Sequence, residues 1–303
     1  AGLSYSFVRE LRPNGQYHSL ESSEMAASVT RARTTARLAL QPVRWSSSRS
    51  IFRGSKANKM GLSLELDALL RNSHDMRVFG LGFLVELSSR AAYARCVAQR
   101  LAYYGAMERR FDGCSTGAIS KVWPLFARDL RRHDRLARDL DAVSDVAPSG
   151  ELSPATRAYV RSIEGASPDA LLGHFYTRYF ADLFGGSMLG TPTELALGLP
   201  HKCAAYTFEP HVLRARGDVV ERAYEAINEC GDAISPQVRR EIVDEARAAF
   251  AHNARMITER GGLAIGVGAA RGVANLVGGY ARKRLAPAVL GEIAGRIATR
   301  RMS

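Results

Sequence analysis

The stretch at residues 171–190, LLGHFYTRYFADLFGGSMLG, carries a single carboxylate, Asp182, one turn before the pair Gly185-Gly186. The surrounding residues are mostly apolar and suit a helix. Glycine inside a helix costs about 1 kcal/mol relative to alanine, so two together call for a physical reason. One reason is a flat ligand lying against bare backbone, with Asp182 as the polar group beside it. The other is a helix crossing, where small side chains let two backbones approach. The residue pattern leaves both open. A second candidate is His74. It continues the apolar face of Leu66 and Leu70, four residues apart each time. A histidine in that place serves either as a hydrogen-bonded core residue or as a ligand.

Tyr176-Thr177-Arg178-Tyr179-Phe180-Ala181-Asp182-Leu183-Phe184-Gly185-Gly186 resembles the distal-helix signature of the haem oxygenases, Y-x-R-Y-L-G-D-L-S-G-G, at eight of eleven positions counting the variable one. The run from Leu66 to His74 has the spacing of that family's first helix, L-K-E-A-T-x-x-x-H, whose histidine is the axial iron ligand. Phe126, Leu130, Arg132, Leu136, Asp139 and Leu140 keep the register of a further family segment. So do Pro236, Val238, Arg239, Glu245, Ala246, Ala249, Phe250 and Asn253 near the end of the domain. Taken together the resemblance covers roughly 62–259. It implies an all-α, haem-oxygenase-like multi-helical bundle that binds haem as both cofactor and substrate. His74 would hold the iron, since neutral imidazole is a common axial ligand. Gly185 and Gly186 would let the backbone lie over the macrocycle, with Ala181 beside them. Asp182 would order distal water for proton delivery. Tyr176 would sit near the porphyrin edge, Arg178 in the adjoining polar network, and Arg222 would face a propionate. The implied products are biliverdin, iron and carbon monoxide, with electrons from a reductase or ferredoxin.

Four departures from the family pattern matter. Ala181 replaces a glycine and adds a methyl to the distal side. Phe184 replaces a serine and adds bulk. Asp67 stands where the family has a propionate-binding lysine, so a carboxylate would face a carboxylate. Only Arg222 answers for the two basic residues expected over Val219–Asn228. Each lost charge-assisted contact is worth about 1.5–3 kcal/mol. A haem-oxygenase-like scaffold without turnover, serving an organellar complex, is therefore the alternative.

The elements that must position these groups read as helices over 62–77, 90–111, 123–140, 171–190, 217–230 and 237–259. Ser235-Pro236 gives the last of these an N-cap and a first-turn proline. Residues 144–152 and 164–168 are turn-rich, and prolines at 192, 200 and 210 break 191–211 into loop and short helical pieces. No strand-like alternation appears between 61 and 260.

A net charge of +12 suggests nucleic acid until it is divided along the chain. Residues 25–60 carry +8 and residues 261–303 carry +6, whereas 61–260 carry −1. The basic character belongs to the ends, so no nucleic acid is expected on the core. Residues 1–60 form one region. From Met25 onward they are Arg- and Ser-rich and free of acid, the composition of an organelle transit peptide, and the arginines favour a mitochondrion over a plastid. Residues 1–24 read as sequence upstream of the true start. The domain proper is 61–260. The four cysteines (96, 114, 203 and 230) have no metal-ligand spacing and read as reduced thiols. No window is long and apolar enough to span a bilayer. Residues 261–303 repeat Gly-x-x-x-Gly on a basic background. Such an extension suits a membrane surface, a protein partner or a solvated tail.

Overall fold

Serine-proline pairs and lone serines start several helices of this chain, because a serine hydroxyl can take one of the amide protons left over at a helix N-terminus. The computed structural model describes residues 55–73, 76–146, 151–201 and 203–301, apart from the side chains of 72, 73, 76 and 285–301. The segments expected at 1–54, and His74 itself, lie outside the described residues. Among those described, every regular element is helical. The helices are α1 Gly61–Ser73, α2 Met76–Glu86, α3 Arg90–Gly113, α4 Gly117–Leu130, α5 His133–Asp141, α6 Pro154–Gly165 and α7 Leu171–Phe175. They continue as α8 Ala181–Phe184, α9 Gly190–Leu197, α10 Pro210–Arg214, α11 Arg216–Asp232, α12 Pro236–Thr258 and α13 Gly262–Arg301. Ser89 caps α3 through the Ala92 amide, Ser153 caps α6 through Thr156, and Ser235 caps α12 through Val238. Each such cap is worth about 1 kcal/mol.

Two expectations needed correction. The helix expected at 123–140 is two helices, broken at Arg131 and Arg132. Buried Glu108 on α3 accepts the backbone N–H groups of Arg132 at 2.7 Å and His133 at 3.2 Å, so a tertiary carboxylate caps a new helix inside a helical pattern. The stretch at 171–190 is not one helix kinked at its glycines. It runs from α7 into a π-helical turn at Tyr176–Phe180, then α8, then a 3-10 turn at Gly186–Met188. Single π turns inside α-helices commonly mark functional segments.

The apolar stripes of α1, α3, α4, α6, α11 and α12 surround this central segment and bury Trp123, Tyr93, Tyr104, Tyr159, Phe111, Phe175 and Phe180. Gly261, at φ +78°, takes the left-handed conformation that separates α12 from α13. The tail helix then packs against α2 and α9.

Candidate functional site

The central segment has two unlike sides. Tyr176, Tyr179, Phe180, Leu183 and Phe184 are buried. Arg178, Ala181, Asp182 and Gly185 are only half-buried. At 100° per residue, 178, 181, 182 and 185 fall together on the more open side. The two glycine readings can now be separated. A Cβ built on Gly173 would sit 2.7 Å from the Ile242 carbonyl and the Ala246 amide of α12, so the helix crossing is there. A Cβ on Gly185 would meet nothing but the carbonyl of Ala181, at 3.3 Å, and no atom of another element. On Gly186 it would make ordinary contacts of 3.5 Å with Asp182 and Tyr206. Neither glycine of the pair has positive φ. Packing and torsion therefore do not explain Gly185, which leaves bare backbone beside open space.

Behind this face stands a polar network. The hydroxyl of Tyr104 donates to Oδ2 of Asp182. Arg178 donates from Nη1 to Asn253 Oδ1 at 2.8 Å and from Nη2 to the Tyr103 hydroxyl at 2.6 Å. Its guanidinium lies over the Tyr103 and Tyr104 rings, 4.8 and 5.3 Å from the centroids. Burial works against that charge, but Tyr103, Tyr104 and Asp182 outweigh it and hold Arg178 above the ordinary arginine range. Burial first, and Asp182 with it, raises the Tyr104 phenol, so Tyr104 stays a donor. The Nε of Arg178 is buried without a hydrogen-bond partner among the described residues. Next to the network, Tyr179 donates to Glu108 at 3.2 Å. Buried Arg132 gives its protons to the carbonyls of Asp129, Leu130, Ala205 and Thr207, fixing the loop that carries Tyr206.

On the α1 side the geometry differs from the expectation. Asp67 is 1% exposed. It pairs with Arg71 one turn on, and Tyr176 donates to it over 3.5 Å. Its carboxylate is satisfied within the protein. Tyr176 is equally buried, stacked on Phe180 at 4.9 Å and facing the Tyr224 phenol. Phe184 is buried with its ring 5.8 Å from Phe180. Arg222 is exposed on α11. The structure thus gathers Arg178, Ala181, Asp182 and Gly185 on one face and sets Tyr176 and Arg222 apart from it.

The Heme oxygenase family model matches residues 62–259. The chain belongs to the haem oxygenase family. It is 30% identical over 182 residues to heme oxygenase 1 of Nostoc sp., covering 58% of this chain and 75% of that one. Against the heme oxygenase of Rhodella violacea it is 27% identical over 206 residues, covering 65% and 86%. The solved structure of heme oxygenase-1 from Synechocystis sp. in complex with heme superposes with a TM-score of 0.57 at 26% identity, covering 69% of this chain and 96% of that one. All-α architecture is therefore a property shared with the haem oxygenases, and α13 lies beyond the stretch that the family model matches.

In this haem oxygenase network, Tyr103 was not singled out from sequence; Tyr104 read as part of an apolar face with Leu101 and Met107, and Glu108 as a solvated position, whereas Glu108 is buried. Asn253 entered only as a matching position. A signal for it exists, because it extends the buried stripe Ile242, Ala246, Ala249 and Phe250 of α12, where a polar residue requires a partner.

Proposed function

We propose that the chain binds haem against the half-buried face of the central segment and cleaves it oxidatively to biliverdin, iron and carbon monoxide. The observation that carries this reading is the half-exposed Asp182, held by Tyr104 beside the bare backbone of Gly185. Open space over Gly185 suits a planar ring. The residues of this face fit the group. When bound, haem supplies the iron for oxygen activation and the ring that is cut. The chain's own residues bind and orient. Asp182 holds a proton-bearing water at the open face. Tyr104 fixes the rotamer of that carboxylate, and Arg178 keeps Tyr103 and Asn253 in place. His74 is the proposed axial ligand, while buried Tyr176 holds Asp67 from behind. Electrons come from a separate reductase or ferredoxin. The Arg-rich, acid-free residues 25–60 support delivery to an organelle, a mitochondrion before a plastid.

A second reading has its own observation. Asp67 brings a buried carboxylate where the family resemblance calls for a lysine, and Phe184, where it calls for a serine, is buried against Phe180. These features favour a haem-oxygenase-like scaffold without turnover. One experiment tests both readings. The full chain is titrated with haem and followed by absorption, then given ascorbate and oxygen. A Soret band that His74→Ala abolishes, followed by conversion to a bilin spectrum, is expected. A stable Soret band without conversion leaves the scaffold reading, and no Soret band removes haem from both.

A further inference from the structure

Helix α13 is amphipathic in an unusual sense: small residues face the protein and large apolar ones face outward. The inner line is Ile265, Gly268, Ala269, Gly272, Asn275, Leu276 and Gly279, all buried or half-buried. A Cβ on Gly272 would stand 1.8 Å from the Leu84 carbonyl of α2, and one on Gly279 would stand 2.2 Å from the Leu195 carbonyl of α9. Asn275 Nδ2 donates to the carbonyls of Leu87 at 2.8 Å and Ser88 at 3.1 Å, which end α2. Backbone is pressed on backbone along this seam. The helix cannot roll to bury its other side without driving side chains into those carbonyls.

The outer side carries Leu263, 84% exposed, with Val267, Val273, Val277 and Tyr280, each 42–52% exposed. Ala270, Ala274 and Ala281 complete an apolar arc centred opposite the glycines. Arg271 and Arg282 border the arc on one side, Arg284 falls within it, and Lys283 follows the inner line, all four exposed. Arg282 makes a 3.4 Å contact to the Leu195 carbonyl. Residues 261–284 contain no Asp or Glu. Among the described residues no helix is long and apolar enough to cross a membrane.

We infer that the outer face of α13 docks in the plane of an anionic lipid bilayer, with the apolar arc at the headgroup boundary and the basic border on lipid phosphates and carboxylates. An exposed apolar arc that carries and adjoins cations and lacks acids is complementary to that surface. A protein partner of ordinary composition would leave four like charges to be answered by a matching acidic rim. The core carries net −1 over 61–260 and residues 25–60 carry +8, so variants confined to α13 decide whether this face binds.

The test uses the full chain with phosphatidylcholine vesicles made with and without phosphatidylserine. Sedimentation with the anionic vesicles is expected, strongly weakened in high salt, and little with the neutral ones. Replacing Arg282, Lys283 and Arg284 by Gln should weaken binding by on the order of a hundredfold, at about fivefold per cation near the surface. Val267→Glu with Val277→Glu should abolish it while leaving the far-ultraviolet circular dichroism and melting curve unchanged, since both side chains are exposed. If that double variant is damaged, Val277→Trp gives a second reading: its added emission shifts to the blue on anionic vesicles. Equal binding to both vesicle types, no blue shift, or undiminished binding of a folded Val267→Glu/Val277→Glu chain would overturn the inference. So would sedimentation showing a dimer in the absence of lipid that the double variant dissociates. None of these readouts depends on haem.

Discussion

Tyr104 on α3 donates its hydroxyl to Asp182 on α8, joining residues 78 positions apart in sequence. The phenol is buried, whereas the carboxylate is half-exposed beside Gly185. One oxygen of Asp182 is thereby tied to the protein, which leaves the other for whatever occupies the open face. Arg178 sits behind both and, through its hydrogen bonds to Asn253 and Tyr103, links α12 and α3 to the π-helical turn.

Removing only the donor should separate structure from chemistry. Tyr104→Phe is expected to lower stability by about 1 kcal/mol, the net worth of one hydrogen bond. It should slow haem conversion while leaving the Soret band in place. Thermal melting and single-turnover bilin formation check the two halves.

Asp182→Asn keeps the size of the side chain and removes its capacity to hold a proton. Turnover is expected to fall by roughly 10²–10⁴, the usual contribution of one positioned acid–base group. Haem affinity should stay within a few-fold, as measured by absorption titration. A variant with unchanged turnover would take Asp182 out of the proposed chemistry.

The two kinds of glycine predict opposite results. Gly173→Ala pushes a methyl to 2.7 Å from the α12 backbone and should cost about 1–3 kcal/mol or more in chemical denaturation. Gly185→Ala meets nothing from another element and only the Ala181 carbonyl at 3.3 Å, at a helix C-cap, so it should change stability by no more than about 1 kcal/mol. The same methyl projects over the open face, so Gly185→Ala should weaken haem binding while the protein stays folded.

Acid sensitivity should arise on the α6–α12 side. The His174 ring, with Nε2 2.9 Å from Oε1, and a hydrogen bond from Ser162 at 2.8 Å hold the Glu245 carboxyl below its ordinary value of 4.5. Burial, then Arg255 and His174, hold the His252 imidazole below its ordinary 6.5, stacked on Tyr159. Both folded values are depressed, so the unfolded chain takes up each proton first as the pH falls. Stability is complete above pH 6.5, declines first through His252, and declines again below 4.5 through Glu245. Denaturation at a series of pH values should show His252→Gln flattening the upper step and Glu245→Gln the lower one.

How far the sequence reached depended on the range of the interaction. Ser235-Pro236 is a local signal and placed the start of α12. The central segment was legible because its carboxylate and glycines fall within one turn. The break at Arg132 was not, because its cause is Glu108, 24 residues earlier on another helix. Asp67 looked like a charge facing a ligand, since nothing in its own helix forecasts that Tyr176, 109 residues away, turns toward it. Tyr104 lies on the apolar face of α3, and its hydroxyl finds its partner only in Asp182, 78 residues on. The glycine repeats of the tail were visible, but the carbonyls they press against belong to α2 and α9.

Those carbonyls make the tail's attachment testable without lipid or haem. Gly272 and Gly266 belong to the same helix and lie six residues apart. A Cβ on Gly272 would enter the Leu84 carbonyl, whereas one on Gly266 would meet nothing within 4 Å. Gly272→Leu should therefore separate α13 from α2 and expose the Asn275 hydrogen bonds to water, lowering stability by about 1–3 kcal/mol or more. Gly266→Leu should be neutral or mildly stabilising through helix propensity alone. Hydrogen exchange would localise the difference. Amides of α2 near Val85–Leu87 should lose protection in Gly272→Leu and keep it in Gly266→Leu. Equal protection in the two variants would mean that the seam between α13 and α2 contributes nothing to the stability of the fold.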